Sequence, residues 1–339
     1  MNIRKKILFR ADGNNNIGLG HLYRLFALAE IYKSNYDVIF LTKEDSTLQV
    51  IPEGYIVKKI PINITINEEP IWLKKNFGHN DNNIIIIDGY QFISSYQKKI
   101  KKEGFFLIYI DDLTTEHMFA DIVVNHSPFV KEDDFKTKKY TKLAIGTSYA
   151  MLRPVFLEAA KQQAAIRQTN TAFVCFGGAD EDDLSLVVSK ALLNFKDILE
   201  INVIIGGAYK HESIFELAEQ NNIIKLHFNL EEVSLFKLME KSSLAIAPCS
   251  TISYELCSVG VPLISGYFVE NQLNIYKGFL KHNVFIDGGN LKNKNEEGFI
   301  KLIQKILDLT TEDSEGMLYN QYKLFNKNQR ESFLSLITI

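Results

Sequence analysis

His21 stands directly behind a glycine-rich turn in the segment ADGNNNIGLGHLYR, residues 11–24. A short apolar run at 7–10 precedes the turn, and 21–32 carries a helical apolar pattern of Leu22, Leu25, Phe26, Leu28 and Ala29. The imidazole therefore falls in the first turn of a helix, at the carboxyl end of a strand. The positive end of the helix dipole disfavours an imidazolium there, and a neutral ring can take a proton from water or a hydroxyl. The same ring could instead cap the helix or bond a neighbouring loop. Gly18 and Gly20 would let backbone N–H groups approach a phosphate. Their spacing is not G-x-G-x-x-G and no Walker lysine follows, so neither a dinucleotide site nor a P-loop is indicated.

Two more stretches could handle an anion. Gly177-Gly178-Ala179-Asp180 closes an apolar run at 172–176, and reads either as a phosphate-facing loop or as an ordinary turn with positive φ. Ser250-Thr251-Ile252-Ser253-Tyr254-Glu255 opens a helix behind Pro248. Its hydroxyls and free N–H groups could hold a diphosphate. Glu255 could accept both hydroxyls of a ribose, as an acidic residue does in dinucleotide folds, or it could lie on the surface. A polar cluster, Glu270-Asn271-Gln272 with Asn274, follows the next apolar run. Asp12, Asp88, Asp111 and Asp112 close strands. They could act as acids or bases, hold a sugar's hydroxyl and amide groups, or cap loops. None has metal-like spacing, and neither metal nor cofactor is expected.

The elements that would position these residues alternate between strand and helix. Apolar runs at 37–42, 84–87, 105–110 and 122–124 complete a first series. A second begins near 171 with runs at 172–176, 201–205, 244–247 and 262–265 and helical patterns at 184–193 and 252–258. This predicts α/β architecture with parallel sheets covered on both faces. At 339 residues the chain is long enough for two domains. The expected division is 1–154, a polar link at 155–170, a second domain at 171–310 and a closing helix at 311–339. Ligands of open α/β sheets sit at the carboxyl ends of strands, where these residues lie.

Composition narrows the classes. A net charge of −3 gives no footprint for nucleic acid or an anionic membrane. Three cysteines without metal spacing, Cys175, Cys249 and Cys257, point to a reducing compartment. The N-terminal MNIRKKILFR is too short in apolar residues for a signal h-region, and the nearly uncharged stretch 244–269 holds Pro and Gly unlike a membrane span. A cytoplasmic monomer is expected.

Taken together, FRADGNNNIGLGHLYRLFALA, IIIIDGYQF, IDD, ADIVVNHSP, IGTSYAMLRPVF, VCFGGADEDD and APCSTISYELCSVGVPLISGYFVENQLN resemble, in this order, the UDP-sugar hydrolases of pseudaminic acid biosynthesis. The last segment also resembles the lipid II-forming N-acetylglucosaminyltransferase, a GT-B enzyme. The resemblance covers roughly residues 5–290. It implies a GT-B-like fold of two doubly wound Rossmann-like domains with an interdomain cleft. It also implies removal of UDP from UDP-2,4-diacetamido-2,4,6-trideoxy-β-L-altropyranose by inverting attack of water at the anomeric carbon, without a metal. On this resemblance His21 is the general base, with Asp12 and Tyr90 beside it at the sugar. Gly20, Arg24, Asp88, Gly177, Gly178, Ser250, Thr251, Glu255, Gln272 and Asn274 bind substrate. Gly89 stands where the family commonly has His, which would remove a side chain beside the sugar. A GT-B glycosyltransferase with a UDP-N-acetylhexosamine-type donor and a non-catalytic UDP-sugar binding protein are the alternatives; retention of His21 speaks against the second.

Overall fold

The computed structural model describes residues 5–14, 18–47, 51–78 and 84–337. The chain divides into two compact units, one of the residues up to Arg153 with those from Asn328 onward, the other Pro154–Lys327.

The first unit is built on seven strands. They are β1 (Lys6–Arg10), β2 (Asp37–Lys43), β3 (Ile56–Ile60), β4 (Ile84–Asp88), β5 (Phe106–Ile110), β6 (Ile122–Asn125) and β7 (Lys142–Ile145), in the order β3-β2-β1-β4-β5-β6-β7. All pair in parallel. The central strands are unbroken apolar runs, as strands covered on both faces must be; every residue of Ile84–Asp88 is buried. Helices α1 (Gly20–Tyr32), α2 (Glu69–Phe77) and α3 (Ser94–Lys102) connect them.

The second unit repeats the plan after helix α4 (Pro154–Ala159). Strands β8 (Thr171–Cys175), β9 (Glu200–Ile205), β10 (Ile224–Phe228), β11 (Leu244–Pro248), β12 (Leu263–Tyr267) and β13 (Ile286–Asn290) lie in the order β10-β9-β8-β11-β12-β13, again parallel. Helices α5 (Leu184–Leu192), α6 (Ser213–Gln220), α7 (Glu232–Lys241), α8 (Thr251–Val259), α9 (Leu273–Lys281), α10 (Glu296–Leu307) and α11 (Thr311–Phe325) cover it. Each sheet reverses its strand order once, between β1 and β4 and between β8 and β11. The crevice outside the carboxyl ends at such a reversal is where open α/β sheets take ligands.

The structure divides the chain differently from the sequence reading at two places. Residues 154–159 are helical and belong to the second unit, and the stretch expected as a link is tied to that unit as well. Arg167 donates to the carbonyls of Gly260 and Val259 at 2.6 and 2.9 Å, satisfying the C-terminal end of α8 with a cation. The expected single closing helix is two. The second, α12 (Gln329–Leu336), belongs to the first unit, where Phe333 accepts the Tyr32 hydroxyl at 2.6 Å.

A buried ion network ties β1 to its neighbours. Arg10 is fully buried, and its guanidinium contacts Asp12 at 2.5 and 2.9 Å and Glu69 at 2.6 and 3.0 Å, over the ring of Phe92. Tyr96 donates to Glu69 at 2.7 Å. Removing one partner of such a set leaves a charge in the interior. Glu69→Ala should therefore cost about 3–5 kcal/mol of stability in denaturant unfolding; a loss under about 1 kcal/mol, the range of exposed pairs, would refute that role.

Candidate functional site

In the first unit, the carboxyl ends of β1, β4 and β5 bring His21, Arg24, Asp88, Tyr90 and Asp112 together. Helix α1 starts at Gly20 without a side-chain cap and without an acidic residue in its first turn. Gly20 is exposed, and Gly18 holds φ +81°. Asn15, Asn16 and Ile17 of the turn lie outside the described residues. His21 is buried, at 6% exposure, and does not cap the helix. Its Nδ1 lies 2.7 Å from Asp88 Oδ1. Arg24, one turn along the same helix, donates from Nε to Asp88 Oδ2 at 2.8 Å and from Nη2 to Asp88 Oδ1 at 2.7 Å. Its Nη1 meets both oxygens of Asp112 at 2.8 and 2.9 Å. Tyr90 donates to Asp112 Oδ2 at 3.1 Å and sets its ring edge-on to His21, centroids 4.9 Å apart.

These contacts assign the imidazole tautomer. A lone pair on Nδ1 would face a carboxylate oxygen at 2.7 Å, so Nδ1 carries hydrogen and donates to Asp88. Arg24 Nη2 also lies 2.9 Å from Nδ1, but one of its two hydrogens goes to Asp88 Oδ1, and the shorter carboxylate contact decides the tautomer. The Nε2 lone pair is left for other work. Burial would raise the Asp88 carboxyl, yet Arg24 and then His21 outweigh it and hold Asp88 well below the usual carboxylate range. Asp88 thus stays ionised and can stabilise the imidazolium.

Asp12 sits differently. Burial works against its charge, but Arg10 and the Lys43 amide at 2.8 Å lower its carboxyl, which also takes Gln91 Nε2 at 3.1 Å. Its oxygens fasten the β1–α1 turn to β2 and to the loop after β4. Gly89 holds φ +151°, and a Cβ on this backbone would lie 2.6 Å from Gln91 Oε1 and 2.9 Å from Phe92.

Sequence reasoning gave no role to His126 and left Asp111 and Asp112 as undifferentiated strand ends. His126, buried after β6, is pushed down to about 4 by burial and by Arg24, so it is neutral near pH 7. Asp111 accepts from Thr114 N at 2.9 Å and Asn125 Nδ2 at 3.3 Å; burial, and then the charge of Asp112, push it up to about 6. With its folded value raised, the folded state binds more protons than the unfolded state between about 3.9 and that value, so Asp111 lowers stability as pH rises through this window. Asp111→Asn should raise the melting temperature relative to wild type more at pH 7.5 than at pH 4.5. A difference independent of pH would contradict this.

In the second unit, two helix N-termini compare directly. That of α5 is taken by its own chain: Asp180 accepts from Leu184 N and Ser185 N at 2.9 and 2.8 Å. Gly177 (φ +86°) and Gly178 are exposed, and their carbonyls press on Gly206, where a Cβ would meet them at 2.4–2.5 Å. This loop is closed by packing and by a carboxylate. At α8, Ser253 Oγ accepts from Ser250 N at 3.1 Å and donates to Ser250 O at 2.7 Å. Ser253 N is taken by Ser250 O at 2.9 Å and by the Ser250 side chain in a capping box, so of the first amides those of Thr251 and Ile252 have no intrahelical acceptor by helix geometry. Ser250 and Thr251 are half-buried there. Glu255, one turn further, is 2% exposed and is no surface residue. Gln272 accepts from Phe268 N at 2.9 Å, closing the turn after β12, and Asn274 is half-buried at the start of α9. Among the described residues no group of three or more His, Cys, Asp or Glu could hold a metal ion, and no helix is long and apolar enough to cross a membrane.

No family model matches the chain. It is 28% identical over 297 residues to an uncharacterized protein, MJ1062, of Methanocaldococcus jannaschii, covering 81% of this chain and 58% of that one, so it spans less than two thirds of that relative. It is 27% identical over 274 residues to the UDP-2,4-diacetamido-2,4,6-trideoxy-beta-L-altropyranose hydrolase of Campylobacter jejuni, covering 79% and 93%. To the spore coat polysaccharide biosynthesis protein SpsG of Bacillus subtilis it is 23% identical, covering 82% of each. Among solved structures, MurG of Acinetobacter baumannii superposes with a TM-score of 0.65 at 11% identity, covering 98% and 99%. The spinosyn rhamnosyltransferase SpnG does so with 0.66 at 10% identity, covering 98% and 99%. The chain therefore has the GT-B fold, two Rossmann-like domains on parallel sheets of seven and six strands, and is similar in sequence to the Campylobacter hydrolase and to SpsG.

Proposed function

We propose that this chain is an enzyme acting on a UDP-sugar, and that the reaction is hydrolysis. UDP is released from a UDP-linked 2,4-diacetamido-2,4,6-trideoxyhexose with inversion at the anomeric carbon. The observation that carries the reading is the His21 Nδ1–Asp88 contact at 2.7 Å, which leaves Nε2 as a base. The similarity to the Campylobacter hydrolase supports the substrate class.

In this mechanism His21 Nε2 takes a proton from water as the water oxygen bonds to the anomeric carbon. The bond from that carbon to the β-phosphate oxygen breaks, and its electron pair leaves with UDP. Asp88 holds the imidazole in register and stabilises the imidazolium. Arg24 keeps Asp88 ionised. Asp12 holds the turn that carries His21. In the second unit, the N–H groups at the start of α8 and the hydroxyls of Ser250 and Thr251 would receive the diphosphate, a fixed site for developing negative charge. Glu255 would take the ribose, and Gln272 and Asn274 would complete the substrate contacts. The α5 terminus, already holding Asp180, is a poorer phosphate site than Gly177 and Gly178 suggest.

The test is a metal-free assay of purified protein with UDP-2,4-diacetamido-2,4,6-trideoxy-β-L-altropyranose, followed by NMR. The expected result is free sugar of inverted configuration and stoichiometric UDP. UDP release only when an acceptor alcohol is added would mean a transferase instead, and UDP binding without release a binding protein.

A further inference from the structure

The side chain of Asp112 makes a two-point contact with one guanidinium nitrogen, Arg24 Nη1, at 2.8 and 2.9 Å, while Asp88 takes the other two nitrogens. One cation is thereby shared between two carboxylates. With His21 neutral, this group of four carries one net negative charge, and protonation of His21 brings it to zero. Without Asp112 the same protonation would leave a net positive charge in a site where Arg24 and Asp112 are each 8% exposed at the side chain.

We propose that Asp112 is a positioning residue that sets the basicity of His21 by drawing off part of the Arg24 charge. This rests on His21 being the base. The groups facing it come from four elements: Arg24 on α1, Asp88 and then Tyr90 at the end of β4, Asp111 and Asp112 at the end of β5, and His126 at the end of β6. Tyr90 donates its hydroxyl to Asp112. Burial keeps His126 neutral near pH 7. Asp111, the neighbouring carboxylate pushed up to about 6, makes the control.

The experiment is the pH dependence of kcat for wild type, Asp112→Asn, Asp112→Glu and Asp111→Asn. Asp112→Asn should fold and bind UDP. The loss of a negative charge disfavours protonated His21, so the acid limb should move to lower pH by about one unit, and kcat on the plateau should fall with the weaker base. Asp112→Glu should restore both. An acid limb that stays in place while kcat falls would make Asp112 merely structural and overturn the proposal, as would an equal displacement in Asp111→Asn. If the wild type hydrolyses no UDP-sugar, the functional reading fails separately. NMR titration of the labelled His21 ring in wild type and Asp112→Asn then decides: a lower midpoint in the variant sustains the electrostatic role, and an unchanged one removes it.

Discussion

His21→Asn is expected to fold, to bind UDP as wild type does, and to lose about 10²–10⁴ in kcat, the usual worth of a positioned general base. The separation of effects follows from where the parts lie. His21 sits at the start of α1 in the first unit, whereas the diphosphate is assigned to the start of α8 in the second. Calorimetry with UDP should therefore give the same affinity for both proteins. Water attack with no base would still draw on leaving-group stabilisation, so a residual rate should survive and should lose the acid limb of its pH profile. Near-wild-type turnover would show that another group takes the proton. Tyr90, edge-on to the ring, would then be the first residue to replace.

Much of the scaffold behind this prediction is legible from the chain alone, and the strands that are not share one physical cause. The strands read from apolar runs are the central ones, β1, β2, β4, β5 and β6 in one sheet and β8, β9, β11 and β12 in the other. The four that leave no such run, β3, β7, β10 and β13, are the four sheet edges. An edge strand has a neighbour on one side only and carries charge or glycine: Lys58 and Lys59 in β3, Lys225 and His227 in β10, Gly288 and Gly289 in β13. The helices at the site were legible because a turn of glycines or hydroxyl residues announces each.

The site was legible in its residue types but not in its pairings. Asp88 and Arg24 are placed among the substrate ligands by the family resemblance. In the structure they spend their hydrogen bonds on each other and on His21. The pairings join residues 64 to 88 positions apart, and only the parallel order β1-β4-β5 brings them together. Glu69 gives no signal at all. Its partner Arg10 lies 59 residues earlier.

Asp88→Asn should cost kcat because the neutral amide no longer stabilises the imidazolium that forms as His21 takes its proton. Arg24 Nη2 and His21 Nδ1 meet the same oxygen, Oδ1, so the one oxygen left at position 88 is drawn there and keeps the ring and its tautomer in place. The NH2 group then faces Arg24 Nε, which loses its acceptor. The ring stays positioned, but the charge that favours its protonated form is gone. A loss of about 10²–10⁴ is expected, at unchanged UDP affinity. Arg24 retains Asp112 as a charge partner, so the fold should survive. The decisive comparison is the double variant His21→Asn with Asp88→Asn. Two residues acting as one unit lose their effect together, so the double should be no slower than His21→Asn alone. Losses that multiply would mean that Asp88 serves the reaction by a route other than the imidazole, such as a direct bond to the sugar.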